Sequence, residues 1–365
     1  MHFSCKIFAY IKKKLYLCTR YDLPRFPLDQ RTRGGLRVLY GVYLRLTSDM
    51  KYQKQPSSIA EQIAKLEGRG LLFEDKNLAA KYLNNISYYR LRAYTYPFQD
   101  NDDPSMDHQF IREDITFQDI IDLYVFDRRL RSLVFNELEK VEVAVRTKLS
   151  QIYSESTKNS HWYEDANLFD AAVFKTDRDG ETFFDGIEDD IRGDVDRSNE
   201  DFIKHYYDKY DEPDMPPSWM TMEVISFGTL SKLYKSLKTS AEKKAVANAF
   251  GIVNADLFAN WLHAFSGLRN CCAHHSRIWN RRFFVRMMMP YNTIYPFMSR
   301  DEAETFKQNK LFALLTALKY IVDIISPDNN FKKNLLQLLS EHHRLLSLKE
   351  MGFPKDWQTL PVWRK

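Results

Sequence analysis

Apolar positions recur at three- and four-residue steps through most of the chain, the period of helices with one buried face. Ser58-x-x-Glu61 is a capping box ahead of Ile59, Ile63 and Leu66, and Gly68 and Gly70 close that helix. A second, short helix follows Asp75 with Leu78, Tyr82 and Leu83. Thr116-x-x-Asp119 opens a long helix whose stripe runs Leu123, Asp127, Leu130, Val134, Leu138, Val141, Val145 and Leu149. Pro216-Pro217 starts another, carrying Trp219, Met222, Ile225, Leu230, Leu233 and Leu237. One more runs from Ser240 to Gly251, and Asn254 then caps the stripe Leu257, Trp261, Phe265, Leu268 and Cys272. Residues 301–325 and 331–347 supply the last two. Glycine and proline are scarce, 12 and 13 of 365 residues, so nothing competes with this period and an all-α fold is predicted.

The gaps between helices set the organisation. Residues 100–114 form a polar loop. From 154 to 216 the chain turns acidic, with Glu188-Asp-Asp190 and Asp211-Glu-Pro-Asp214, and reads as a loop-rich connection with a helix near 201–210. No calcium-loop spacing occurs in it. The chain therefore divides into an N-terminal helical part (50–153), an acidic connection (154–216), a second helical part (217–350) and a tail (351–365).

Residues 1–49 differ from the rest, with 10 Lys and Arg against 3 Asp and Glu. The remainder holds 43 against 46, so the sequence pI of 8.6 comes from the first piece. Overall basicity thus says nothing about nucleic acid, and any such site must be a local patch. Lys12-Lys13-Lys14 interrupts the first apolar run, which fits a signal peptide poorly. Met50 is expected to be the physiological start, and a basic RNA-binding arm is the rival reading. Four cysteines, two of them adjacent, give no disulfide framework, which suits a cytoplasmic protein. No apolar run reaches membrane-spanning length: 311–325 contains Lys319 and Asp323 and reads as a buried helix.

Two places carry chemistry. Asp127 stands on the apolar line of the long helix, where a carboxylate needs a partner, and Arg131 one turn on is expected to form a structural ion pair with it. The stripe ending at Cys272 leads into Arg269-Asn270-Cys271-Cys272-Ala273-His274-His275. Asn270 and His274 share a helix face. Arg269 and His274 lie about 140° apart and can flank one phosphate. Histidine can take the proton from a 2′-hydroxyl or give one to a leaving oxygen near neutral pH, and arginine supplies a fork of donors to the crowded phosphorus. No metal or cofactor is required. Cys271 and His275 at i, i+4 could share a zinc ion with Cys272 and His274 nearby, but this is the weaker reading, because a structural zinc wants four ligands, usually in two separated pairs, and no CxxC or HxxxH occurs elsewhere. A Cys–His nucleophile pair lacks an orienting third group.

Arg269-Asn270-x3-His274 resembles the R-polar-x3-H motif of HEPN ribonucleases. Its extension through Arg277, Trp279 and Asn280 resembles, more narrowly, the Abi-like family of phage abortive-infection proteins. Three further blocks share that resemblance: Asn85–Tyr94, Leu123–Arg131 with Glu139–Arg146, and Glu223–Ser231. The resemblance implies an all-α, HEPN-like helical bundle with an N-terminal helical extension, acting as a metal-independent endoribonuclease. Arg269 and His274 would then be catalytic, with Asn270 and His275 in support. A single copy of the motif implies a homodimer that brings two histidines to one phosphodiester. The alternative is a non-catalytic RNA-binding or protein-interaction module of the same fold, holding a small RNA or an antitoxin. Candidate RNA contacts are Tyr89, Arg90, Arg146, Arg277, Trp279, Arg281 and Arg282, which combine charge with aromatics. The competing reading packs the aromatics into helix corners and the arginines into internal ion pairs.

Overall fold

The computed structural model describes residues 54–364 apart from 103, 178, 179, 342 and 343. The basic segment 1–49, the Met50 start and His342-His343 lie outside the described residues. From Ser58 onward the chain forms one unit of helices joined by turns. In order these are α1 (Ile59–Gly68), α2 (Lys76–Ile86), α3 (Tyr88–Thr95), α4 (Phe117–Thr157), α5 (Phe183–Asp196), α6 (Asp201–Lys209), α7 (Ser218–Val224) and α8 (Phe227–Ser236). Then follow α9 (Ala241–Ala249), α10 (Ala255–Ala273), α11 (Arg300–Glu304), α12 (Leu311–Ile325), α13 (Phe331–Glu341), α14 (Leu348–Met351) and α15 (Pro361–Arg364). Among the described residues only isolated bridges stand in for a sheet, and no helix is long and apolar enough to cross a membrane.

Helix α4 is the mast. Its 41 residues span about 60 Å at 1.5 Å per residue, with no glycine or proline inside to interrupt them. Both halves of the Thr116/Asp119 capping box form at its start. Its apolar line is buried along the whole length, and α3, α7, α9, α10, α12 and α13 pack around it. The core of α10 is equally dry: Trp261, Phe265 and Leu268 have no exposed surface. Burying each such side chain contributes roughly 1.5–3 kcal/mol. In α12 the charges are paired internally, Lys319 Nζ standing 2.5 Å from Asp323 and over the Trp363 ring.

Three sequence expectations need correction. The connection 154–216 holds a second helix, α5, opened by a Thr182/Asp185 capping box and burying Phe184, Ile187, Ile191 and Val195. The apolar period was present there, screened by the acidic residues on its outer face. The helix expected after Pro217 breaks at extended Ile225, where Ser226 caps α8 afresh. Trp219 is more than half exposed, not a core position. The helix expected over 301–325 is likewise two, α11 and α12, separated at 305–310.

Candidate active site at the end of helix α10

Helix α10 stops at Ala273. His274 is its C-cap, its N–H donating to the Asn270 carbonyl at 2.9 Å. His275 follows in the left-handed region at φ 56°. Its N–H donates to Cys272 at 3.1 Å and that of Ser276 to Cys271 at 2.8 Å, the paired closing bonds usually built around glycine. A side chain at that position costs about 1–2 kcal/mol. The turn is held from outside, because Arg90 Nη1 on α3 donates to the His275 carbonyl at 2.8 Å. The result is a corner from which two exposed imidazoles project, His274 and His275.

A buried carboxylate fixes the chain beyond the corner. Asp127, with no exposed surface, accepts the Tyr94 hydroxyl at 2.8 Å and the N–H groups of Ile278 at 3.1 Å and Trp279 at 2.9 Å. Arg131 completes the cluster as its ion-pair partner and reaches the Ser276 carbonyl at 3.4 Å. Burial pushes the Asp127 carboxyl above its ordinary value, and Arg131 and the three other donors pull the opposite way. Four donors on one buried carboxylate fasten the loop after the motif to the mast.

The other end of the motif meets α4 more loosely. Arg269 is about a third exposed. Its Nε lies 3.5 Å from Glu142 without forming a hydrogen bond, and its guanidinium sits 6.0 Å from the centre of the Phe135 ring. Nη1 reaches Asn270 Oδ1 at 3.5 Å. Arg269 and Asn270 therefore meet, Asn270 and His274 are one turn apart, and no hydrogen bond joins Arg269 to His274.

The candidate RNA contacts divide. Tyr89, Arg90, Arg281 and Arg282 are exposed, and Arg90 ties the Tyr89 block to the corner. Trp279 is 1% exposed and belongs to the core, not to a stacking surface. Arg146 is buried, donating to the Met222 carbonyl and paired with Glu142, which corrects its assignment to an RNA surface. Arg277 donates to the Ala93 carbonyl, and burial pulls its guanidinium below the ordinary arginine value. Cys272 is buried and its thiol pushed up to about 12; burial raises Cys271 as well. Among the described residues no group of three His, Cys, Asp or Glu is placed to hold a metal ion. Sequence reasoning named Asp127 but missed its grip on Ile278 and Trp279, some 150 positions away, because nothing local encodes such a contact.

Among the described residues the chain is all-helical, and it ends a buried helix in a polar Arg-Asn-x3-His corner fastened by a buried carboxylate, the form of an α-helical protein. A family model described as Abi-like protein matches residues 81–280, more than half of the chain, and the chain belongs to that family. Membership points to abortive infection, a form of phage defence. No curated protein and no solved structure matches the chain.

Proposed function

We propose that the corner cleaves RNA without a metal ion, as the effector of an abortive-infection response. In this scheme the 2′-hydroxyl of one nucleotide attacks the adjacent phosphorus, the 5′-oxygen of the next leaves, and a 2′,3′-cyclic phosphate remains. His274 accepts or returns the proton, and Arg269 offsets the charge that grows on the phosphorus oxygens. Asn270 orients a phosphate oxygen, and His275 supports the second proton transfer. A homodimer would bring two His274 rings to one phosphodiester, one as base and one as acid. The observation that carries this reading is an exposed His274 ring, without a hydrogen-bond partner among the described residues, one turn from an Asn270 that touches Arg269.

One observation favours a second reading, a binding module that retains a small RNA or an antitoxin. Arg269 is drawn back toward Glu142 and Phe135, where it is only partly available to a phosphate. Purified protein incubated with total RNA in chelator separates the two. Fragments ending in 2′,3′-cyclic phosphate that disappear in His274→Ala support cleavage. Persistent cleavage in that variant rejects the assignment, and RNA retained intact favours the binding module.

A further inference from the structure

The corner is gripped from two helices. Arg90 on α3 donates to the His275 carbonyl at 2.8 Å, and Arg131 on α4 reaches the next carbonyl, that of Ser276, at 3.4 Å. Arg277 closes the same seam by donating to the Ala93 carbonyl on α3. Helix α3 is in turn held to the mast: Tyr94 bonds Asp127, and its ring packs edge-on against Tyr124 with centres 5.4 Å apart. Side chains beside the two gripping arginines are thereby kept close to the imidazoles.

Two exposed side chains stand there without a task in the fold. Tyr89 precedes Arg90, their Cα atoms about 3.8 Å apart, and 86% of its surface is exposed. Neither its ring nor its hydroxyl has a partner among the described residues. Arg128 lies three residues before Arg131 and seven before Phe135, the ring beneath Arg269, so the three share one face of α4. It stands about 4.5 Å along the helix from Arg131 and about 10 Å from Phe135. Its guanidinium is exposed and forms no ion pair or hydrogen bond among the described residues. One turn either way lie Tyr124, Val125, Arg131 and Ser132, none of them acidic. Asp127 beside it is taken up by four other donors. The next residue, Arg129, is by contrast paired with Glu341.

We infer that Tyr89 and Arg128 form a two-point track for an RNA strand at the cleavage corner. The Tyr89 ring stacks on the base of one nucleotide, and the Arg128 guanidinium binds a phosphate of its neighbour. The inference rests on the RNA-directed reading above and adds what holds the strand beside His274. A stacking ring serves any base, because every base has a π-face, and an unpaired guanidinium offers phosphate a fork of donors. The two side chains arrive from different helices, and the grip of Arg90 and Arg131 on adjacent carbonyls is what sets both beside the motif.

The test uses the full chain carrying His274→Ala, so that RNA stays intact, with a fluorescent mixed-sequence single-stranded RNA in chelator. Tyr89→Ala should weaken binding roughly 5- to 150-fold, as loss of one stacked base does, while Tyr89→Phe keeps parent affinity. Arg128→Gln should weaken it and lower the log–log salt slope by about 0.7, as loss of one phosphate contact does. Lys204→Gln removes an equal charge from an exposed position on α6 and should change neither affinity nor slope. Thermal midpoints should match the parent throughout, because all three side chains are exposed. Parent affinity in Tyr89→Ala or in Arg128→Gln overturns the track, and RNA cleavage by the His274 chain then leaves the cleavage reading standing. An equal fall in slope with Lys204→Gln makes Arg128 part of a diffuse charge and overturns the track too. So does weakened binding that light scattering traces to lost self-association, which makes the pair an interface between copies. RNA neither bound nor cut by the parent chain overturns both readings.

Discussion

Two acid–arginine pairs sit on α4 at the same four-residue spacing, Asp127 with Arg131 and Glu142 with Arg146. Both face the chain around the motif, yet they do different work. Asp127 has no exposed surface and takes four donors, two of them backbone amides beyond the corner. Every bond there is local to the protein, and the cluster has nothing left to offer a ligand. Glu142 gives one oxygen to Arg146 and leaves the other 3.5 Å from Arg269, whose guanidinium is still partly in solvent. The first pair fastens a loop; the second restrains a side chain that can still move. A saturated buried charge builds the site, and an incompletely satisfied one at its edge can act.

Asp127→Ala is the most damaging change expected. It strands Arg131 and frees the Ile278 and Trp279 amides, and removing one partner of a buried pair costs about 3–5 kcal/mol. Denaturant unfolding should show that loss. Glu142→Gln keeps the shape and a hydrogen bond for Arg146, so a smaller loss of about 1–3 kcal/mol is expected. Its effect should shrink as salt rises, because Arg269 is partly exposed, whereas that of Asp127→Ala should not. Equal losses in the two variants, or equal salt dependence, would erase the distinction between fastening and restraint. The smallest effect belongs to His275→Gly, which relieves the left-handed backbone at the corner and should raise stability by up to about 1 kcal/mol. A fall in stability would mean the turn is not strained. A fall in cleavage at raised stability would give the His275 ring a role of its own.

Much of this was legible from the residues in order. Capping boxes at Ser58 and Thr116 and the stripes of α4 and α10 lie in local spacing, and local spacing survives folding. Asp127 announced itself because a carboxylate on an apolar line has to be answered. What answered it could not be read, since Tyr94, Ile278 and Trp279 arrive from distant segments. The same limit explains the arginines after the motif. Arg277 and Arg281 look alike in sequence, but one is anchored on the Ala93 carbonyl and the other faces an open groove. Trp279 beside them is core. Helix α5 went unread for a different reason: its acidic outer face dominates the composition and hides an apolar period that one turn of counting recovers.

Arg269→Ala offers the most direct test of the whole account, because the side chain is exposed enough to remove without unsettling the core. Single-turnover cleavage of RNA in chelator should fall about 10²- to 10³-fold, the loss typical of one group that stabilises a developing charge. The unfolding midpoint should stay close to that of the parent. Cleavage at the parent rate would contradict the proposal that this guanidinium and its neighbouring imidazole break the phosphodiester.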